Sequence, residues 1–166
     1  VPKSHLLVSL MRAVGFECHQ HLVTLTKEFM SGVIPANRYW MISREVSHSY
    51  VDVLVAGKWC AIDSFVIDTP LLKGALARLK AEGRQVGYGV RIGAVNQWDG
   101  QSDAFAQYRP DLSSEDHGRV DDLEAYFASK HYHNKFLGVP FNKLFLMLGE
   151  ANTDSINANI EQLRRK

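Results

Sequence analysis

Apolar residues recur at Leu6, Leu7, Leu10, Met11 and Val14. Steps of three and four place them on one side of a helix, so the spacing predicts an amphipathic helix over Lys3–Val14 that Gly15 stops. The pattern then tightens to period two. His19–Phe29 predicts a strand with His21, Val23 and Leu25 on one face, followed by a loop at Gly32 and Pro35. Two β-rich runs in SHSYVDVLVAGKWCAID, Ser47 to Asp63, meet at Ala56-Gly57 and predict a hairpin. LLKGALARLKAE, Leu71–Glu82, predicts a helix capped by Gly83. A short strand in QVGYGVRI precedes a long polar loop from Gly93 to about Gly118. Helical spacing returns from Val120 to Arg165, with breaks expected at Gly138-Val139-Pro140 and near Asn152-Thr153. A helix, antiparallel strands and then helices make an α+β chain rather than a doubly wound sheet. The expected organisation is one domain over 1–166, with 120–166 as a helical C-terminal extension.

The hairpin register gives the strands their chemistry. With a two-residue turn at Ala56-Gly57, Val55 faces Lys58, Leu54 faces Trp59, and Tyr50 faces Asp63. Directly opposed residues share a side of the sheet, as does every second residue. His48, Tyr50, Asp52, Trp59 and Asp63 therefore fall on one face, and Val51, Val53, Val55, Cys60 and Ile62 form an apolar core face. His48 and Asp63 become diagonal neighbours, about 7–8 Å apart at the backbone, within reach of their side chains. An imidazole held by a carboxylate is the base-and-orienter half of a nucleophilic triad. The same spacing also suits two polar residues on a solvated hairpin face.

Composition narrows the classes. The chain has 166 residues, 46% hydrophobic and 22% charged, with net charge +1. That describes a globular domain with no basic field for nucleic acid. No apolar run approaches the roughly 20 residues of a membrane span. The two cysteines, Cys18 and Cys60, are too few for a disulfide framework, so a reducing, cytoplasmic compartment is the default.

His48-Ser49-Tyr50 with Gly57-Lys58-Trp59-Cys60-Ala61-Ile62-Asp63 resembles the H-x-[WY]…G-x-W-x-x-x-D pattern of the transglutaminase-like superfamily. Lys3-Ser4-His5-Leu6-Leu7 with Met11-Arg12-Ala13-Val14-Gly15-Phe16 resembles that family's C-x-x-K-[AST]-x-L-L…L-R-A-x-G-I segment. The two motifs cover roughly the first 70 residues, and Leu71 onward carries no resemblance. The resemblance implies a papain-like core and a Cys-His-Asp triad with His48 and Asp63 as catalytic residues. It also implies thioester-mediated acyl transfer on a peptide or protein amide, with no cofactor. Water as acceptor gives a protease or amidase, and an amine gives cross-linking. The family's Cys stands three residues before the Lys, which here is the position just ahead of Val1. The chain opens without a Met, already in a helical first turn, so the nucleophile is expected immediately upstream. There a thiol would sit at the positive end of the helix dipole, which favours thiolate. Pro2 suits a first turn. The rival class is a non-catalytic binding domain that keeps the fold without the thiol.

Neither cysteine within the chain replaces that thiol. Cys18 lies past the helix C-terminus, where the dipole has the wrong sign, and Cys60 falls on the core face, where buried Cys is a small hydrophobe. His131 and His133 with His117 and Asp116 offer metal-ligand types. However, H-x-H on a helix splays its two rings, and no C-x-x-C accompanies them. No metal site is assigned. Tyr50, on the His48 face, and Trp98, in the long polar loop, are assigned to substrate contact. Trp40 is expected in the core. The stripe Phe136, Leu137, Phe141, Leu144, Phe145 and Leu148 is expected to pack on the sheet or form a dimer face.

Overall fold

The computed structural model describes residues 2–108, 113–147 and 149–165. The first helix, α1, spans Pro2–Ala13, and strand β1 follows at Cys18–Thr26. A short helix α2 (Ala36–Tyr39) leads to β2 (Glu45–Val55) and β3 (Lys58–Ile62). Helix α3 (Thr69–Glu82) precedes two two-residue strands, β4 (Val86–Gly87) and β5 (Val90–Arg91). The chain then forms β6 (Ser113–Arg119), α4 (Leu123–Ala128), β7 (Lys135–Phe136), β8 (Val139–Pro140), α5 (Phe141–Met147) and α6 (Glu150–Arg164). The result is a mixed α+β architecture around one four-stranded antiparallel sheet ordered β3-β2-β1-β6. Among the described residues no helix is long and apolar enough to cross a membrane.

The hairpin holds the expected register, with Val55 opposite Lys58 and Leu54 opposite Trp59. Ala56 and Gly57 both take positive φ, 49° and 80°. That is the mirror-image turn whose twist matches that of the flanking strands. Both faces of the sheet are buried. On one, Val8 of α1 meets Cys18, Val51, Val53 and Ile62, with Leu7, Met11 and Trp98 packed alongside. On the other, Val23, Leu25, Val46 and Tyr50 meet Ile34, Ile42, Tyr108 and Phe141. Full burial of each such aliphatic side chain contributes about 1.5–3 kcal/mol. A third cluster, Leu72, Ala75, Leu79, Val90 and Ala94, seats α3 on the β4–β5 ribbon.

The structure revises several expectations from the pattern. Helix α1 turns Ser4 and Val8 inward and leaves Leu6, Leu10 and Val14 exposed, because the buried Ser4 hydroxyl is bonded into β2 and sets the helix rotation. The long polar loop ends early: Ser113–Arg119 form β6, an edge strand whose polarity hides it from a hydrophobic pattern. Residues 135–140 form the β7–β8 hairpin rather than helix, and Asn152-Thr153 lies inside α6, whose entry is Gly149. Trp40 is exposed, edge-on to Phe136, and is not core. Of the C-terminal stripe, Phe136, Phe141 and Leu144 pack on the sheet side, whereas Leu137 is 88% exposed. The Phe145 side chain and Leu148 lie outside what is described.

Two contacts tie α3 to α6 beside the sheet. Asp68 caps α3 by accepting from Leu71 N (2.9 Å), and its other oxygen accepts from Arg164 Nε (3.0 Å) and Nη2 (2.5 Å). One turn further on, the carbonyl of Leu163 occupies the space where a side chain at Gly74 would stand.

Candidate active site

His48 sits near the start of β2, opposite Val23 of β1, at a point where β3 has already ended. Asp63 is the first residue beyond β3, so the two groups meet at the mouth of the hairpin rather than within it. They converge from the same face: His48 Nε2–H donates to Asp63 Oδ2 at 2.9 Å. His48 is 7% exposed and Asp63 is fully buried.

A lone carboxylate at that depth would lose its hydration and take up a proton. Asp63 instead lies in a nest of backbone donors from the loop at 104–108. Oδ1 accepts from Ala106 N (2.5 Å) and Gln107 N (3.2 Å), and Oδ2 accepts from Tyr108 N (2.7 Å) as well as from His48. Burial pushes the carboxyl pKa up. The His48 hydrogen bond and charge, with the Tyr108 and Ala106 amides, outweigh it and hold Asp63 below the ordinary aspartate value. The loop is itself fixed by β3, since Ala104 N donates to Ala61 O while Ala104 O accepts from Asp63 N and Ser64 N. These donors are backbone groups and carry no side-chain signature, so sequence reading missed them.

Because Asp63 takes Nε2–H, the ring nitrogen left with a lone pair is Nδ1. No described residue engages Nδ1 in a hydrogen bond or ion pair. The first turn of α1 lies beside this imidazole: Pro2 and His48 together line both of the large cavities that flank it. Two buried hydroxyls fix that turn, Ser4 Oγ donating to Ser49 O (3.1 Å) and Ser49 Oγ to Ser4 Oγ (2.9 Å). Lys3 Nζ donates to Val66 O at 3.2 Å. Val1 itself lies outside the described residues.

The first cavity, about 770 Å³, has a mixed lining, with Lys3, Asp68, Gln107 and Arg164 beside Phe65, Ile67 and Leu71. The second, about 570 Å³, is walled by Phe29, Met30, Val46, Phe127, Tyr132 and Phe141. Asn134 closes the bare edge of β2 next to His48: its amide accepts from Ser47 N and donates to Ser47 O, both at 2.9 Å, as a neighbouring strand would.

Tyr50 and Trp98 do not join the site. Tyr50 is 6% exposed, stacked on His21 at 4.4 Å and packed on Tyr108 at 4.9 Å, and it borders neither cavity. Trp98 packs with the Val8 cluster on the opposite face of the sheet and donates Nε1–H to Ser102 O at 2.7 Å. The cysteines also belong to that opposite face. Cys18 is buried beneath α1, its thiol pKa raised chiefly by burial, and Cys60 contacts the Gln101 carbonyl.

Two clusters form among the remaining histidines. His21 bridges Asp52 (Nδ1, 3.0 Å) and Asp116 (Nε2, 2.7 Å), with Arg119 also on Asp52. His117 and His131 gather about Glu115. No family model matches the chain, and no curated protein and no solved structure matches it either. Any functional reading therefore rests on this geometry and the two sequence motifs.

Proposed function

We propose that this chain carries the base and orienting carboxylate of a thiol-dependent acyl-transfer site, of transglutaminase-like type in a papain-like core. The observation that supports it best is the fully buried, multiply bonded Asp63 fixing His48 with Nδ1 open beside the first turn of α1. A thiol one residue ahead of Val1, where the N-terminal motif puts it, would emerge at that turn. His48 Nδ1 takes the thiol proton and the sulfur attacks the amide carbonyl. As the C–N bond breaks, the imidazolium returns the proton to the leaving amine, leaving a thioester. Water or a second amine then releases the acyl group by the reverse sequence. Asp63 stays ionised throughout, fixing the tautomer and balancing the imidazolium. The two cavities beside His48 suit a peptide amide laid across the imidazole, one carrying the charged groups of Lys3, Asp68 and Arg164 and the other walled mainly by apolar side chains.

The test is iodoacetamide labelling against pH in the chain extended upstream with Cys ahead of Val1. One fast-reacting thiol near neutral pH is expected, with Cys18 and Cys60 slow because both are buried. His48→Ala should abolish the fast phase and Asp63→Asn should weaken it. A thiol that titrates near pKa ~8.5, as a free cysteine does, or one indifferent to His48→Ala, would leave the non-catalytic binding domain as the better reading.

A further inference from the structure

On the sheet face opposite His48, a second cluster of chemistry-bearing side chains lies outside the site described above. Strand β6 pairs with β1 irregularly: Gly118 stands opposite Leu22 and Asp116 opposite Val23, which leaves His117 as the extra residue of a bulge. Bulges of this kind re-aim a side chain and are common beside functional sites. Asp116 turns to His21 on one face, while Glu115, opposite Thr24, turns to the other. His117 joins Glu115 there, its ring nearly buried and its Nε2 2.8 Å from Thr24 Oγ1.

The third member comes from a different element. His131 follows α4 and belongs to the turn 129–134, not to a helix. The geometric objection to metal ligation by His131 and His133, that a helix would splay the rings, therefore does not apply to His131. Its Nδ1 stands 3.1 Å from Glu115 Oε1, and its ring centre lies 5.1 Å from that of His117. Glu115 Oε2 is 3.8 Å from His117 Nε2. One ligand atom from each of the three residues falls within 4.8 Å of the others. Ligands held about 2.0–2.1 Å from a tetrahedral ion stand about 3.3–3.4 Å apart, so the cluster is near ligating spacing. His133 is not part of it, facing Glu45 at 4.0 Å, and neither is Asp116.

From this we infer that Glu115, His117 and His131 form a binding site for a divalent transition-metal ion of the Zn²⁺ class. Two imidazoles and one carboxylate are a borderline donor set that favours Zn²⁺ over Ca²⁺ or Mg²⁺, which prefer oxygen ligands alone. Three protein ligands leave the fourth position to water. Thr24 Oγ1 lies 2.8 Å from the same His117 Nε2 that faces Glu115, so an ion bound at that nitrogen takes the place of this hydrogen bond, while the His131 carbonyl accepts from Tyr126 Oη (3.2 Å) and holds the turn. The ion would fasten the polar edge strand β6 to the turn after α4, joining two segments separated by that helix.

The test is a calorimetric titration of Zn²⁺ alone into the chelator-stripped chain, with a competing chelator to set the affinity scale. One equivalent should bind, and His131→Ala and His117→Ala should each weaken binding by at least about tenfold. Glu115→Gln, at a half-exposed position that folding tolerates, should do the same and guards against an unfolded His117 variant. His48→Ala and His133→Ala should leave the affinity within about threefold. Thermal unfolding of the parent should shift upward with Zn²⁺, and that of Glu115→Gln should not. Absence of saturable binding overturns the site, and so does one-equivalent binding that survives both His131→Ala and Glu115→Gln.

Discussion

Replacing Asp63 by Asn is nearly isosteric and removes only the charge and one acceptor. Both Asp63 oxygens accept from backbone N–H groups that cannot turn away, Ala106 and Gln107 on one side and Tyr108 on the other. Whichever way an Asn amide is placed, its NH₂ meets a fixed donor. The change costs an unsatisfied buried donor, about 1–3 kcal/mol, and weakens charge-assisted bonds worth about 1.5–3 kcal/mol each. A loss of about 3–5 kcal/mol is expected, the range for breaking a buried pair by removing one partner. For a chain of this size that lowers the unfolding midpoint by about 6–20 °C. The pH dependence is a second signature. The folded-state pKa of Asp63 is depressed, so its contribution is present above the unfolded value of about 3.9 and is lost as pH falls through the folded value. The gap between parent and Asp63→Asn should be full at pH 7 and shrink in acid. Thermal unfolding followed by circular dichroism measures the first effect, and urea unfolding at several pH values measures the second. A midpoint within about 2 °C of the parent, or a gap that does not vary with pH, would refute the picture of a buried ionised carboxylate.

Other regions give independent checks. Burial lowers the His21 pKa, but its bonds to Asp52 and Asp116 outweigh burial and raise it. Its stabilisation is therefore fully present below the unfolded value of about 6.5 and is lost as pH rises through the folded value. The stability advantage of the parent over His21→Gln should fall on going from pH 6 to pH 9 in urea titrations. Gly74→Ala sets a methyl against the Leu163 carbonyl and should cost about 1–3 kcal/mol in thermal unfolding by forcing α3 from α6. Ser4→Ala strips the Ser49 hydroxyl of its acceptor and should cost about 1–3 kcal/mol. The Ser4→Ala, Ser49→Ala double variant should cost less than the two singles combined, by about 0.5 kcal/mol or more in a double-mutant cycle.

The parts of this protein legible in the chain alone are those governed by neighbours in sequence. The hairpin register follows from Ala56-Gly57, because a two-residue turn leaves the flanking strands only one pairing, and that pairing aims His48 and Asp63 to one side. Helix α3 follows from its apolar spacing up to Gly83, although it starts at Thr69 behind the Asp68 cap, two residues before the predicted Leu71. Tertiary structure decided what depends on residues brought from afar. The backbone nest that keeps Asp63 ionised comes from the loop at 104–108, and main-chain amides leave no trace in residue identity. Strand β6 was hidden because an edge strand paired only with β1, its side chains largely exposed, needs no hydrophobic alternation of its own. Tyr50 followed the alternation onto the His48 face, but alternation fixes a side and not a depth, and the aromatic packing of Phe105 and Tyr108 drew it into the core. The grouping of Glu115, His117 and His131 likewise required a bulge in one element and a turn in another, a juxtaposition that no local spacing encodes.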